Sequence, residues 1–337
     1  MELTYEQIAS ITCGAVELEQ SPEGVCFHRF TKAQRDVYAE QKSNFFNKTF
    51  CPAGVKLSFK TDSRHLSFDL FVKRVFGRHF FSVDVFVNGS MLGCLDNFSN
   101  TEFPEKYAST EFPVAPVSGS FDLGDGEKSV VIHLPWDMSI ALRSISLDDG
   151  ASLVPVKPSK ILLAYGDSIT HGFDAMHTSN RYISRLAEAL DAQEFNKAIG
   201  GERYFANLAA VRDDLEPDYV VVAYGTNDWR YSSREQFIRE STGTLENLSR
   251  NYPSAKIFVI SPIWRAAWET ETAFKRFSEL DTLLRQEAAE LPNVTVLTGF
   301  DFVPHDKSYF SDGGLHPTDE GFDHYFKNLW SAMKELV

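Results

Sequence analysis

The sequence predicts two folded units, an antiparallel β-sandwich followed by an α/β unit with a doubly wound, mostly parallel sheet. Before residue 150, apolar and polar residues alternate, whereas beyond it continuous apolar runs alternate with helical patterns. A stretch with two prolines and a glycine, 149–158, separates the two patterns. We therefore expect a sandwich domain over residues 1–150, a linker over 151–158 and an α/β domain over 159–337.

The first half has the period-two pattern of half-buried strands. The pattern is clearest at 66–72 and 81–87, and the second run ends at Asn88-Gly89, which favours a type I′ hairpin turn. Further strands are expected at 55–59, 130–134 and 140–147. Helical signal is confined to about the first ten residues, so the pattern predicts an antiparallel β-sandwich of roughly 130 residues.

The second half contains short apolar runs that are typical of strands covered on both faces. These runs are 161–165, 219–224, 256–260 and 294–297. Helices are expected from Ser233, with Gln236 completing a capping box, to about residue 250, over 272–291, and from Thr318 onward. This alternation of strand and helix predicts a parallel sheet that binds ligands at the carboxyl ends of its strands.

Composition narrows the possible partners and location. The net charge of −14 and the pI near 5.1 argue against nucleic acid as a partner. No basic region precedes an apolar stretch near residue 1, and no run resembles a membrane span, so we expect a cytoplasmic protein without a membrane partner. The four cysteines are widely spaced and form no C-x-x-C pair, which indicates free thiols and no zinc site. The oligomeric state has no signal in the sequence.

Three motifs carry residues suited to nucleophilic chemistry. They are YGDSITHG at 165–172, YGTNDW at 224–229 and DGGLHP at 312–317. Ser168 follows the predicted strand 161–165, and His316 lies between a glycine-rich turn and a predicted helix N-cap. A lone serine here would be a helix cap, and Thr170 rules out a G-x-S-x-G elbow. Together with His316 as a general base, however, Ser168 becomes a candidate nucleophile.

Acyl transfer also needs hydrogen-bond donors for the developing oxyanion. Asn227, after the predicted strand 219–224, offers a side-chain amide, and Gly200-Gly201 offers unhindered backbone N–H groups. Each feature alone reads as part of a turn. In combination with the serine and histidine they form a candidate acyl-transfer site.

These ordered motifs resemble the SGNH, or GDSL-type, hydrolase family over about residues 160–337. The resemblance implies a flavodoxin-like sheet, with Ser168 as nucleophile and His316 as base. It also implies an oxyanion hole made by the N–H groups of Ser168 and Gly201 and the amide of Asn227, with Gly200 as an alternative. A sandwich before such a domain is similar to the layout of carbohydrate acetyl esterases whose first domain is a jelly roll. No metal or other cofactor is implied.

One position departs from the family pattern. The family often has an aspartate three residues before the histidine, where this chain has Gly313, and Asp312 lies four residues before. The glycine turn could absorb the extra residue, so that Asp312 orients His316 in a triad. Alternatively, a backbone carbonyl holds the imidazole and the site works as a Ser–His dyad. We favour Asp312 and keep both alternatives open.

Substrate contacts are less specific. Trp229 and Trp264, and less so Trp268, are candidates for stacking on sugar rings, although indoles also line acyl channels or fill cores. His171 is a candidate substrate contact, and its spacing from His177 does not predict a metal site. We expect a serine esterase that removes short acyl groups, mainly acetyl, from a small-molecule or oligosaccharide ester. The alternatives are an acyltransferase, a lipase or thioesterase, and a non-catalytic glycan-binding protein.

Overall fold

The structure, a computed structural model, describes residues 1–75, 77–99, 107 and 110–337. In this part of the chain, strands form two antiparallel sheets and one parallel sheet. The strands are β1 (Thr12–Cys13), β2 (Glu17–Ser21), β3 (Gly24–His28), β4 (Lys56–Thr61), β5 (His65–Arg74), β6 (Ser82–Val87), β7 (Ser90–Asp96), β8 (Val117–Asp122), β9 (Lys128–His133), β10 (Met138–Leu147), β11 (Val154–Pro155), β12 (Lys160–Gly166), β13 (Ala192–Asn196), β14 (Tyr219–Ala223), β15 (Lys256–Ile260) and β16 (Val294–Leu297). The helices are α1 (Tyr5–Ile11), α2 (Lys32–Gln41), α3 (Ser43–Phe46), α4 (Ser168–His171), α5 (Tyr182–Ala189), α6 (Ala206–Ala210), α7 (Thr226–Tyr231), α8 (Arg234–Asn251), α9 (Glu279–Ala288) and α10 (Asp319–Met333).

The first half forms the expected sandwich. One sheet has the order β1-β4-β9-β6-β7, with β11 added beside β4, and the other has the order β2-β3-β10-β5-β8. Alternate side chains of β5, such as Leu66 and Phe68, are buried in one cluster with residues of the opposite sheet, such as Phe59 and Val83. The expected strands are therefore confirmed, with ends shifted by a residue or two. Within the expected linker 151–158, Val154–Pro155 forms β11, which pairs with β4.

The β6–β7 hairpin confirms the turn prediction. Asn88 and Gly89 connect the two strands with φ values of 49° and 79°. Both central residues of a type I′ turn need positive φ, which asparagine and glycine tolerate best.

The expectation that helix is confined to the first ten residues is wrong. Helix α2 begins after Thr31, whose side chain accepts the Gln34 N–H while the Gln34 side chain accepts the Thr31 N–H. This T-x-x-Q capping box is visible in the sequence. Tyr38 of α2 lies in the same buried cluster as Leu163 and Tyr165 of β12, so this helix packs on the parallel sheet of the second half.

The second half contains a parallel sheet with the order β13-β12-β14-β15-β16. This is the flavodoxin-like order: β13 is added on one side of β12 and β14 to β16 on the other, so the topological switch point lies between the parallel strands β12 and β14. The four expected strands are confirmed. Strand β13 was not expected, because it contains Gln193, Glu194 and Asn196 in five residues. Buried Glu194 is paired with buried Arg181 at 2.8 Å, which compensates part of its desolvation.

Helices cover both faces of this sheet. Leu162 and Ala164 of β12 share one buried cluster with α5 and α10, whereas Leu163 and Tyr165 share the other with α6, α8 and α9. Burial on both faces explains why these strands read as continuous apolar runs. The crevice above the carboxyl ends of β12 and β14 is where such a sheet binds ligands.

The predicted helix starts at Ser233 and Thr318 are confirmed, since each side chain caps its helix. The predicted helix over 272–291 is wrong in its first part, because α9 spans only Glu279–Ala288. Lys275 has a φ of 86°, which interrupts a helix. The apolar residues before α9, including Phe274, fill the core from an irregular segment instead.

All four cysteines are free thiols, as expected. None of the helices in the described residues combines the length and the apolar character needed to cross a membrane.

Candidate active site

The candidate nucleophile lies at the crevice between β12 and β14. Asp167 follows β12 and caps α4, since its side chain accepts the Ile169 N–H at 3.0 Å. Ser168 is therefore the first residue of a short helix at the carboxyl end of the sheet, and it is 5% exposed. Burial raises the pKa of Asp167 to about 7.

Ser168, His316 and Asp312 form a continuous hydrogen-bonded chain. His316 Nε2 lies 2.8 Å from Ser168 Oγ, and its Nδ1 lies 2.7 Å from Asp312 Oδ2. A carboxylate on Nδ1 favours the tautomer that leaves Nε2 free to accept the serine proton. The arrangement can therefore activate the hydroxyl for attack on a carbonyl carbon.

The Gly313-Gly314 turn absorbs the extra residue between the aspartate and the histidine. Both glycines have positive φ, 82° and 139°. The turn lets Asp312 Oδ1 accept the N–H groups of Leu315 at 2.9 Å and His316 at 3.1 Å. Burial opposes ionisation of Asp312, but these hydrogen bonds and the imidazole hold its pKa well below the usual range. A charged Asp312 is thus fixed against Nδ1.

The site also contains two residues that the sequence did not reveal. Arg78, from the connection between β5 and β6, forms an ion pair with Asp174 at 2.5 Å. Its Nη2 lies 3.4 Å from His316 Nδ1, and an Asp174 oxygen lies 3.8 Å from the same nitrogen. The guanidinium also lies over Phe173, 5.4 Å from the ring centroid. No motif marks Arg78, because its neighbours in the site are remote in sequence.

The structure distinguishes between the two candidate glycines for the oxyanion hole. The Gly200 N–H donates to His171 Nδ1 at 3.2 Å and is occupied. The Gly201 N–H has no acceptor among the described residues. Asn227 Nδ2 donates one hydrogen to the Glu202 carbonyl at 3.0 Å, which leaves its second hydrogen for another acceptor. Gly201 and Asn227 therefore offer donors in the segments that follow β13 and β14.

The expected substrate contact at His171 is wrong. The side chain is fully buried, and its Nε2 donates to the Trp136 carbonyl at 2.7 Å. Burial lowers the pKa of His171 well below its usual value, so the imidazole is neutral. His171 Nδ1 instead accepts the Gly200 N–H and so stabilises the loop that carries Gly200 and Gly201.

The structure also corrects the indole hypothesis. Trp229 is 1% exposed, and its Nε1 donates to the Lys275 carbonyl, so it belongs to the core. Trp264 is 8% exposed, and its ring is stacked on His305 and packed against Phe310. Neither indole presents an open face for a sugar. The sequence pattern could not reveal that these indoles are buried, because contacts with distant segments determine the orientation of each side chain.

Three clusters of potential metal ligands occur in the described residues. They are Cys51 with Asp137 and His171, Asp84 with Cys94 and His177, and Asp174 with Asp312 and His316. The last cluster coincides with the hydrogen-bonded chain, and the Arg78 guanidinium already neutralises Asp174 there.

A family match agrees with this geometry. Residues 164–324 match the model of the GDSL-like lipase/acylhydrolase family, and this range includes Ser168, Asn227 and His316. A serine, a histidine and an aspartate joined by hydrogen bonds are the arrangement that serine hydrolases use. Residues 164–324 form a GDSL-like lipase/acylhydrolase domain, and the protein is an ester-hydrolysing enzyme.

Solved structures share the fold over nearly the whole chain. The salicylyl-acyltransferase SsfX3 from a tetracycline biosynthetic pathway has a TM-score of 0.79 at 19% identity, covering 96% of this chain and 94% of that one. A protein from Bacteroides ovatus ATCC 8483, described as a GDSL-like lipase, has a TM-score of 0.77 at 16% identity, covering 99% and 97%. A family two carbohydrate esterase from Clostridium thermocellum, in complex with cellohexaose, has a TM-score of 0.64 at 15% identity, covering 96% and 98%. A comparison with curated proteins finds no match.

Proposed function

We propose that the protein hydrolyses short acyl esters of carbohydrates, mainly acetyl esters, through an acyl-serine intermediate. The observation that carries the proposal is the hydrogen-bonded chain of Ser168, His316 and Asp312 at the carboxyl end of the parallel sheet. Gly201 lies in the loop after β13 and Asn227 in the first turn of α7, and among the described residues the Gly201 N–H and the second amide hydrogen of Asn227 remain available for an oxyanion.

In the proposed mechanism, His316 Nε2 takes the Ser168 proton as Oγ attacks the acyl carbon. Asp312 holds the imidazole and stabilises the imidazolium that forms. The N–H groups of Ser168 and Gly201 and the Asn227 amide stabilise the oxyanion. His316 then protonates the leaving sugar oxygen. In the second half-reaction it activates a water molecule, which releases the acid and restores Ser168.

The enclosed surroundings of the serine support a short acyl group. Ser168 and His316 are only 5% and 9% exposed. The Phe173 ring lies 5.7 Å from the His316 imidazole, and a Cβ on Gly201 would lie 3.4 Å from the Phe45 ring. These aromatic rings flank the proposed site, which supports a small acyl group. Trp229 and Trp264 are buried and offer no surface for stacking on a sugar. The proposal that the alcohol part of the ester is a carbohydrate is therefore supported by the likeness to the carbohydrate esterase.

The second candidate function is acyl transfer to an alcohol. It is favoured by the low exposure of Ser168 and His316, which restricts water, and by the likeness to the salicylyl-acyltransferase. The same residues would act, with an acceptor hydroxyl replacing water in the second half-reaction. A lipase or thioesterase would instead show rates that rise with acyl length.

We also propose that residues 1–150 and 159–337 are two structural units joined by 151–158. They would not be independent, because Phe30 and Tyr38 lie in the core cluster on one face of the parallel sheet. The sandwich unit would then contribute residues to the site. Arg78 is an example, since its Nη2 lies 3.4 Å from His316 Nδ1.

Hydrolysis of p-nitrophenyl esters from acetyl to octanoyl tests the proposal, with wild type and Ser168→Ala compared in parallel. Ser184→Ala is the matched control, since Ser184 is buried and its hydroxyl has no partner among the described residues. We expect the highest rate on acetyl, full activity in Ser184→Ala and none in Ser168→Ala. Product analysis on acetylated oligosaccharides, with and without an acceptor alcohol, separates hydrolysis from transfer. Serine-independent turnover would contradict the proposal.

A further inference from the structure

The peptide group between Gly200 and Gly201 is held by a lysine from the first half of the chain. Lys48 Nζ donates to the Gly200 carbonyl at 2.5 Å. In a trans peptide, the Gly200 C=O and the Gly201 N–H belong to one plane and point in opposite directions. Whatever fixes the carbonyl therefore also fixes the N–H that is the candidate oxyanion donor.

Lys48 is built into the fold and is not a surface residue resting on a loop. It is 4% exposed and lies in a turn of 3₁₀ helix over Asn47–Phe50. Burial lowers its pKa, whereas the carboxylates of Asp137 and Glu202 oppose that change and favour the ammonium form. A cation is thus enclosed directly behind the Gly200–Gly201 peptide.

Arg29 ties the turn that carries Lys48 to the loop that carries Gly201. Its fully buried guanidinium donates to the carbonyls of Lys48 at 3.1 Å and Cys51 at 2.6 Å. The same group donates to the carbonyls of Asn196 and Ala198, each at 2.7 Å. Through these four bonds, Arg29 fixes the position of the Lys48 turn relative to the segment that leads from β13 to Gly201.

We propose that Lys48 is a positioning residue of the oxyanion hole, which orients and polarises the Gly200–Gly201 peptide so that the Gly201 N–H binds the oxyanion more strongly. A cation on a carbonyl oxygen draws electrons from the peptide and makes its N–H a better donor. The benefit grows as negative charge develops on the substrate oxygen, so it favours the transition state over the bound ester. Lys48 acts through Gly201 and does not touch the substrate. The inference rests on the proposed acyl-serine function.

A purely structural role for Lys48 makes a different prediction, and the chain offers a matched control. Lys128 is 3% exposed, and its Nζ also donates to backbone carbonyls, those of Ser63 at 2.8 Å and Gly124 at 2.6 Å. These partners lie in the sandwich. Lys128→Met therefore removes a comparable buried cation and its carbonyl bonds without affecting the oxyanion loop.

The test measures kcat, KM and boronic acid inhibition for Lys48→Met, Lys128→Met and Ser168→Ala. A boronic acid forms a tetrahedral adduct with a reactive serine and mimics the oxyanion. Losing a whole oxyanion donor costs about 10² to 10³-fold, so we expect Lys48→Met to lower kcat by roughly 10 to 100-fold. KM should stay within about threefold, because ground-state binding is retained. Boronate affinity should fall by a factor similar to kcat, and Lys128→Met should change neither.

The outcomes separate this inference from the function on which it rests. If Ser168→Ala keeps wild-type activity, the proposed function fails. If Ser168→Ala is inactive but Lys48→Met matches Lys128→Met in kcat and boronate affinity, only the role of Lys48 fails. If Lys48→Met does not fold, Lys48→Gln replaces it, since it keeps an N–H donor and loses the charge. We expect about tenfold lower kcat for Lys48→Gln, with partial recovery in Lys48→Arg, and an unchanged kcat in Lys48→Gln would overturn the inference.

Discussion

Replacing Asp312 by asparagine tests whether this residue orients the His316 imidazole. Asp312 Oδ1 accepts the N–H groups of Leu315 and His316, and an asparagine oxygen can keep both bonds. The turn should therefore persist, while the oxygen that lies 2.7 Å from Nδ1 becomes an NH₂ group. This amide donates to Nδ1 and favours the tautomer with its proton on Nε2. That tautomer cannot accept the proton of Ser168.

The expected size of the effect follows from this change of tautomer. The corresponding substitution in a serine protease triad lowers kcat by about 10⁴-fold. We expect a loss of about 10³ to 10⁴-fold here, equivalent to about 4 to 5.5 kcal/mol of activation free energy. Asp312→Ala should cost less than Asp312→Asn. Alanine itself places no donor on Nδ1. Arg78 Nη2 lies 3.4 Å from Nδ1 but donates to Asp174 at 3.0 Å, and the Asp174 oxygen 3.8 Å from Nδ1 can still favour its protonated form.

The assay is kcat/KM on a short-acyl ester between about pH 5 and pH 9, combined with thermal unfolding to verify that each variant is folded. Asp306→Asn is the control, because Asp306 also accepts a backbone N–H, that of Ser308, in an exposed turn outside the site. A loss below about tenfold in folded Asp312→Asn would refute the reasoning, since an effect that small fits a Ser–His dyad.

Three further predictions concern the nucleophile, the oxyanion hole and the buried carboxyl beside it. Ser168→Ala and His316→Ala should each lower kcat by at least ~10³-fold, and the double variant should be little worse, because the two residues act as one unit. Asn227→Ala should lower kcat by roughly 10²-fold or more, as expected for one oxyanion donor. Burial raises the pKa of Asp228 to about 8. Near neutral pH the Asp228 carboxyl is therefore protonated in the folded protein and ionised in the unfolded chain. The free energy of unfolding should therefore fall as the pH rises from about 5 to about 8, and this group contributes at most ~1.4 kcal/mol per pH unit. Urea unfolding at several pH values should show a smaller fall in Asp228→Asn.

Other outcomes would contradict these predictions. Additive losses in the Ser168 and His316 double variant would count against a nucleophile–base unit. A loss of kcat below tenfold in Asn227→Ala would show that its amide is not part of the oxyanion hole. Asn247→Ala is the control, because it loses a similar bond to the Ala206 carbonyl away from Ser168. An unchanged pH dependence of unfolding in Asp228→Asn would show that this carboxyl is ionised in the folded protein.

The features that the sequence reveals are local in the chain. Strands buried on both faces must be continuously apolar, which marks β12, β14, β15 and β16. Helix starts need capping side chains, which marks α8 and α10. Ser168 and Asn227 are recognisable because each comes shortly after such a strand, and His316 because it lies just before the capped start of α10. Their convergence then follows from the geometry of a parallel sheet, whose strand ends share one edge.

The features that the sequence conceals depend on contacts between distant segments. Strand β13 looks polar because Glu194 is buried against Arg181, and no local pattern shows that partner. Trp229 has the same position along its motif whether its indole faces a cleft or the core. Arg78 and Lys48 carry no motif, and only the packing of the first half on the second brings them to the site.

The most direct test of the central claim is to trap the acyl-enzyme. The protein is mixed with p-nitrophenyl acetate, quenched in acid before turnover is complete, digested and examined by mass spectrometry. We predict one acetyl group on the peptide that contains Ser168, and none in the Ser168→Ala variant. Rapid hydrolysis with no adduct, or an adduct on another residue, would contradict an acyl-serine mechanism at this site.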